Sequence, residues 1–135
     1  MRYVAVATAY IHQGDETLLL RRSAHNKHFC GAWQLPEGKL EKEESSVDAL
    51  SRELEEELHC IPSSMRLLGR IKTSIVLEDE KVEVERAIFH VVLQDAAIRL
   101  SNEHDAIGWM DTSSLEGLTF YPGTLEALEM STGRE

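Results

Sequence analysis

Gly38-Lys39-Leu40-Glu41-Lys42-Glu43-Glu44, and after seven further residues Arg52-Glu53-Leu54-Glu55-Glu56-Glu57-Leu58, is the stretch on which the reading of this chain turns. Glu53, Glu56 and Glu57 are spaced i, i+3 and i+4 and so share one side of a predicted helix, where like charges repel unless a cation neutralises them. A cluster of hard oxygen ligands suits Mg²⁺ or Mn²⁺ rather than zinc. The loop Trp33-Gln34-Leu35-Pro36-Glu37-Gly38 leads into it. Together they point to a divalent-metal site for a phosphate-bearing substrate, and so to an enzyme. Taken alone, the acidic triplet also fits a solvated helix face.

Working outward, Ser45 with Asp48 three residues later predicts a capped helix start. Val47, Leu50, Leu54 and Leu58 follow at helical spacing as an apolar stripe, with the three glutamates on the neighbouring arc. One side can then pack while the next lines a cleft, and Pro62 stops the helix. Before it, Tyr3–Ile11 and Thr17–Leu20 read as strands, and Trp33-Gln34-Leu35 is extended ahead of Pro36. After it, Leu67–Leu77 and Val82–Leu93 read as a hairpin turning at Glu78–Lys81. In the second of these Val82, Val84, Ala87, Phe89 and Val91 supply the apolar positions, while Glu83 and Glu85 point away. A short strand is expected around Ile98–Leu100 and another at Ile107–Met110, and Pro122-Gly123-Thr124 opens a C-terminal helix. Strands interleaved with two helices predict an α/β sandwich in one domain, residues 1–135.

The totals narrow the function. Across 135 residues, 24 Asp and Glu against 14 Lys and Arg give a net charge of −10. That argues against long nucleic acid as a partner. A small phosphorylated substrate stays compatible, because bound metal ions invert the local field. Cys30 and Cys60 lack metal-ligand spacing and read as free thiols. No signal-peptide pattern and no apolar run long enough to span a membrane is evident, so a cytoplasmic protein with no membrane partner, monomeric or homodimeric, is expected.

At Gly38, Glu44, Arg52, Glu53, Leu54, Glu56 and Glu57 the chain closely resembles the Nudix hydrolase family, in particular its MutT-like branch. The family signature sets Gly, five residues, Glu, seven residues, Arg-Glu, an aliphatic, any residue and Glu-Glu. The resemblance extends to the Trp33 lead-in and to Trp109 with the helix that follows. It implies a Nudix-type α/β/α sandwich with a mixed β-sheet, dependence on Mg²⁺ (Mn²⁺ as a substitute), and hydrolysis of a nucleoside diphosphate linked to another group. Carried over by position, Glu53, Glu56 and Glu57 would be metal ligands together with the backbone carbonyl of Glu37. Arg52 would hold Glu53, Gly38 would let the loop approach the helix, and Glu44 would brace the loop or bind a further ion. Glu103, in a loop before Trp109, falls where relatives carry an acid used as a ligand or general base.

This sequence departs from the pattern at three places. His59 stands where a glycine usually takes a left-handed cap, a strain of about 1 kcal/mol that His tolerates. Glu37 replaces a glycine, and its side chain either points to solvent or reaches the metal site. Thr124 holds the position where enzymes that clear oxidised guanine nucleotides carry a base-reading Asn, and one hydroxyl cannot make an amide's paired contact. Phe89 and Tyr121 are candidate stacking surfaces for a base, and Arg21, Lys27 and His28 candidate contacts to phosphate or base, each set against core packing or simple solvation. The expected reaction is cleavage of (deoxy)nucleoside triphosphates to monophosphate plus pyrophosphate, with Glu53 or Glu103 taking the proton from water. The alternatives are ADP-ribose, a dinucleoside polyphosphate or another diphosphate-linked substrate, or a non-catalytic nucleotide-binding sensor.

Overall fold

In the computed structural model, which describes residues 2–95 and 97–133, ten elements follow one another. They are β1 (Arg2–Tyr10), β2 (His12–Gln13), β3 (Glu16–Arg22), β4 (Trp33–Gln34), β5 (Glu37–Lys39), α1 (Ser46–Leu58), β6 (Pro62–Leu77), β7 (Glu80–Leu93), β8 (His104–Asp111) and α2 (Thr124–Thr132). One sheet has the order β5-β1-β7-β6 and is mixed, because β1 and β7 run parallel while its other pairings are antiparallel. The second sheet is antiparallel: β3 pairs with β2, β4 and β8.

Strand alternation sends successive side chains to opposite faces, and each helix covers one of them. Ala49, Leu50, Leu54 and Leu58 of α1 pack with Leu18 and Leu20 of β3 and with Ala87, Phe89 and Val91 of β7. The intervening Leu19 and Ile88 pack instead with Leu35 and with Ala127 and Leu128 of α2. The expected α/β/α sandwich with a mixed sheet is thus the observed one. Beyond the end of α2 the same face continues as Val6, Ile75, Val82 and Val84, a cluster to which neither α1 nor α2 contributes a residue.

Three local expectations are corrected. Val47 is 47% exposed, and Ala49 takes its place in the buried stripe. Val47 sits in the first turn, ahead of the point where α1 meets the sheet. Residues 98–100 form no strand; the backbone there is held by Arg99 N–H donating to Leu58 O and Ser101 N–H donating to Glu57 O, which ties this segment to the end of α1. The inward set on β7 is also double. Val82, Val84, Arg86 and Ile88 face the α2 side, and Ala87, Phe89 and Val91 face α1. Both faces are buried from residue 86 to 89, so a single alternating pattern could not describe it.

Two strained turns match their sequence signals. Glu78 and Asp79, both at positive φ, join β6 to β7 in a two-residue turn whose twist suits a hairpin. At the end of α1, His59 adopts φ 57° and ψ 37°, donating its N–H to Glu55 O while Cys60 N–H reaches Leu54 O. The His59 ring bonds the carbonyl of Arg99 at 2.8 Å, a contact glycine could not make and an offset to the backbone strain.

Packing therefore predicts unequal costs along α1. Leu54→Ala should destabilise the fold by about 2–5 kcal/mol, whereas Val47→Ala should stay within about 0.5 kcal/mol. Urea unfolding of the two variants checks this, and equal losses would place Val47 in the core after all.

Candidate active site

The loop between β5 and α1 is joined to the helix through one guanidinium. Arg52 Nε donates to Glu44 Oε2 at 2.9 Å and Nη2 donates to Glu44 Oε1 at 3.0 Å, a bidentate pair. The same side chain reaches Lys39 O at 3.1 Å and Glu53 Oε1 at 2.9 Å, and it stands 3.4 Å from both Glu41 and Glu56. Glu44 also accepts from the N–H of Glu41. Its carboxyl is held down at a pKa of about 2, chiefly by the Arg52 hydrogen bonds.

Gly38 is the second join. A Cβ added there would overlap the Glu53 carboxylate, so only glycine lets β5 lie this close to α1. Glu53 is half-buried, and its pKa is raised by that burial, which the hydrogen bond from Arg52 opposes and the charges of Glu57 and Glu56 reinforce. Glu57 shifts the other way. Burial works against its ionised form, yet the groups around it, His104 and Ser101 foremost, more than reverse that. Ser101 Oγ donates to Glu57 Oε2 at 2.7 Å. His104 Nδ1 lies 3.3 Å from the same oxygen, without hydrogen-bond geometry.

Among the described residues no three His, Cys, Asp or Glu side chains converge as a ready cation cage. The donor chemistry nonetheless fits a hard divalent ion. Glu53, Glu56 and Glu57 are oxygen donors on one arc of α1, and Arg52 is shared among too many acids to neutralise them all. The Glu56 side chain, 56% exposed, is free to change rotamer.

Gly38 and Lys39 also form part of the wall of a cavity of about 270 Å³. Its floor is that apolar face, with Val6, Ile75, Val82 and Val84, and its polar rim includes Arg22, Asn26, His28, Glu103 and Tyr121. The acidic cluster thus sits behind one wall of a cleft that is apolar below and polar around the edge. Arg22 lies over the Tyr121 ring at 4.5 Å, and Phe29 meets that ring edge-on.

Of the residues singled out from sequence, His28, Glu37, Gly38, Glu103 and Tyr121 border this cleft. Four others do not. Phe89 is 5% exposed and packs under α1, because its place in the β7 alternation faces away from the cleft. Arg21 donates to Asp105 at 2.7 Å, and Lys27 pairs with Glu78. Thr124 is buried at the start of α2 with its N–H on Tyr121 O, and it is not among the residues lining the cleft.

Glu37 takes neither side-chain orientation expected of it. Its carboxylate accepts from Arg86 Nε at 2.9 Å and Nη2 at 3.2 Å, and from Thr8 Oγ1 at 2.9 Å. Arg86 is 1% exposed and further donates to Thr73 Oγ1 and Pro122 O. Gly123 leaves room for its guanidinium, since a Cβ there would collide with it. Sequence reading missed Arg86. The available signal was a charge in register with Val82 and Val84 on a buried strand.

A protein-family model described as the NUDIX domain matches residues 1–129. The chain is 36% identical over 137 residues to an octanoyltransferase from Myxococcus xanthus and 32% identical over 120 residues to the human 8-oxo-dGDP phosphatase NUDT18, covering 98% and 84% of this chain. It spans only 37% and 33% of those two proteins. With the nucleoside triphosphatase NudI of Klebsiella pneumoniae it shares 28% identity over 123 residues, 86% of this chain and 87% of that one. Among solved structures, a MutT NUDIX hydrolase from Burkholderia pseudomallei superposes with a TM-score of 0.79 at 25% identity, covering 96% of this chain and 98% of the other.

The opposed shifts of Glu44 and Glu53 predict opposed mutants in metal-free protein. Glu44 has a depressed folded pKa, so its contribution is present above the usual 4.5 and is lost as pH falls toward about 2. Glu44→Gln should lower Tm at neutral pH, and the gap to the parent should close below about pH 4.5. Glu53 has a raised folded pKa, so its ionised form costs stability, and Glu53→Gln should leave Tm unchanged or higher at neutral pH. Thermal melts across that pH range, with chelator present, check both signs.

Proposed function

The chain belongs to the Nudix hydrolase family, in its MutT-like branch, and from that premise we propose that it is a metal-dependent pyrophosphohydrolase. It would cleave (deoxy)nucleoside triphosphates to the monophosphate and pyrophosphate. The observation that carries the reading is the contact of Gly38 with Glu53: the glycine that shapes the cleft wall touches the half-buried acid of the cluster. Phosphates entering the cleft beside Gly38 and Lys39 would come up against that cluster.

Glu53, Glu56 and Glu57, with the Glu37 carbonyl, are the groups that would hold Mg²⁺ or Mn²⁺. The bound ion supplies charge compensation for the phosphates and acidifies water. Water oxygen bonds to phosphorus, the bridging P–O bond breaks, pyrophosphate leaves, and Glu53 accepts the proton. Glu103, on the cleft rim, is the second acid facing a substrate. Arg52 positions Glu53 and Glu44, and the Arg86–Glu37 pair fixes β5 from below. The base would lie on the apolar floor beside Tyr121, held by stacking and rim contacts rather than by one selective edge reader.

A panel of 8-oxo-dGTP, dGTP, dCTP, dATP, ADP-ribose and a dinucleoside tetraphosphate, assayed for pyrophosphate and monophosphate, tests the substrate class. Triphosphates should release pyrophosphate with kcat/KM values spread over no more than about two orders of magnitude. Glu53→Gln should lower kcat by about 10²–10⁴-fold, and Thr124→Asn should leave the order of preference unchanged. Dominant ADP-ribose cleavage would overturn the triphosphate reading, and intact turnover in Glu53→Gln would remove Glu53 from its role.

A further inference from the structure

On the same face of the mixed sheet as the cleft, but past α2, lies a second cavity of about 320 Å³. It is bordered by Tyr10, His12, Asp15, Arg66 and His90. In the parallel register of β1 and β7, Tyr10 stands beside His90, and the turn after β1 brings His12 back over the same point. The two imidazole Nε2 atoms are 3.0 Å apart. Two nitrogens each about 2.1 Å from one metal ion stand about 3.0–3.4 Å apart, so the pair already has the bite of a chelate.

The rest of the cluster prepares that bite. His12 Nδ1 lies 3.1 Å from the carbonyl of Gly14, the partner that fixes its proton on Nδ1 and leaves Nε2 with a lone pair. Tyr10 stacks on the His12 ring at 5.2 Å, with the planes 20° apart, which fixes its orientation. Burial, then the nearby His12 and Arg66, hold the His90 pKa below its ordinary value. Arg66 also repels cations, and Asp15 on the same cavity opposes it with a carboxylate. A hard ion held only by charge gains little here, whereas an imidazole-seeking ion gains two nitrogen bonds.

We propose that His12 and His90 form a second metal site, distinct from the carboxylate cluster, for a borderline transition-metal dication such as Zn²⁺ or Ni²⁺. Both rings bind through Nε2, and water fills the remaining positions. In the free protein His90 Nε2–H donates to His12. On binding, the His90 proton moves to Nδ1, so the imidazoles release none and one His–His hydrogen bond is exchanged for two metal–nitrogen bonds. Arg86, at the cleft, and His90 lie four residues apart on β7, about 13 Å along one strand, so an ion here sits on the same rigid element as the cleft floor.

Equilibrium dialysis of tag-free protein with Zn²⁺ or Ni²⁺, under excess Mg²⁺ to occupy the carboxylates, tests the site. One ion per chain should bind saturably. Affinity should fall about tenfold or more in His12→Gln and equally in His90→Gln, and stay unchanged in Glu56→Gln. Both imidazoles lie at the protein surface, and unchanged circular dichroism of the variants verifies that they are folded. Nitrogen chemical shifts of the two rings should move together on Zn²⁺ addition. No saturable binding, equal affinity in the His variants, or loss of binding in Glu56→Gln would overturn the proposal.

Discussion

Four carboxylates, Glu41, Glu44, Glu53 and Glu56, crowd within 3.4 Å of the Arg52 guanidinium, and the arrangement of the cleft follows from how that one charge is shared. Glu44 takes the bidentate side, which fixes the loop before α1. Glu53 takes a single bond, not enough to offset its burial. The result is a loop locked to the helix and an acid left electrostatically unsatisfied where the chain comes closest, at Gly38. An added cation would relieve what Arg52 cannot.

The second constraint works from beneath. Removing one partner from a buried ion pair leaves the other charge uncompensated and costs about 3–5 kcal/mol. Arg86 and Glu37 form such a pair, and Thr8, Thr73 and the carbonyl of Pro122 take up remaining hydrogen bonds. The pair ties β5, β7, β6 and the entrance to α2 together under the cleft. A position where the signature carries glycine has thereby become an anchor for β5, the strand that meets α1 at Gly38.

How much of this was legible depends on range. Local rules located α1, its Ser45 cap and the hairpin, because each is specified by residues within a few positions, and the left-handed His59 followed from the glycine place in the family signature. The acidic arc was readable from spacing, and the Arg52 brace was implied by the family resemblance. The cleft was not, since its rim gathers Arg22, Asn26, Glu103 and Tyr121 from distant segments. Phe89 and Thr124 were misassigned to it because a strand buried on both faces and a helix start both place an apolar or hydroxyl side chain inside the core. Arg86 escaped notice for a related reason: its meaning depends on a partner 49 residues away. The Val82–Arg86–Ile88 face could be recognised only once β1 was known to lie parallel to β7.

Whether the unsatisfied acids of α1 bind a divalent ion decides the role of the cluster. Mn²⁺ affinity, read from the free-ion electron paramagnetic resonance signal, measures this without any substrate. The protein should bind Mn²⁺ in competition with Mg²⁺, and Glu56→Gln and Glu57→Gln should each weaken binding by about tenfold or more while His12→Gln does not. Unchanged Mn²⁺ affinity in both glutamate variants would contradict it, and would leave the acidic arc of α1 as a solvated helix face.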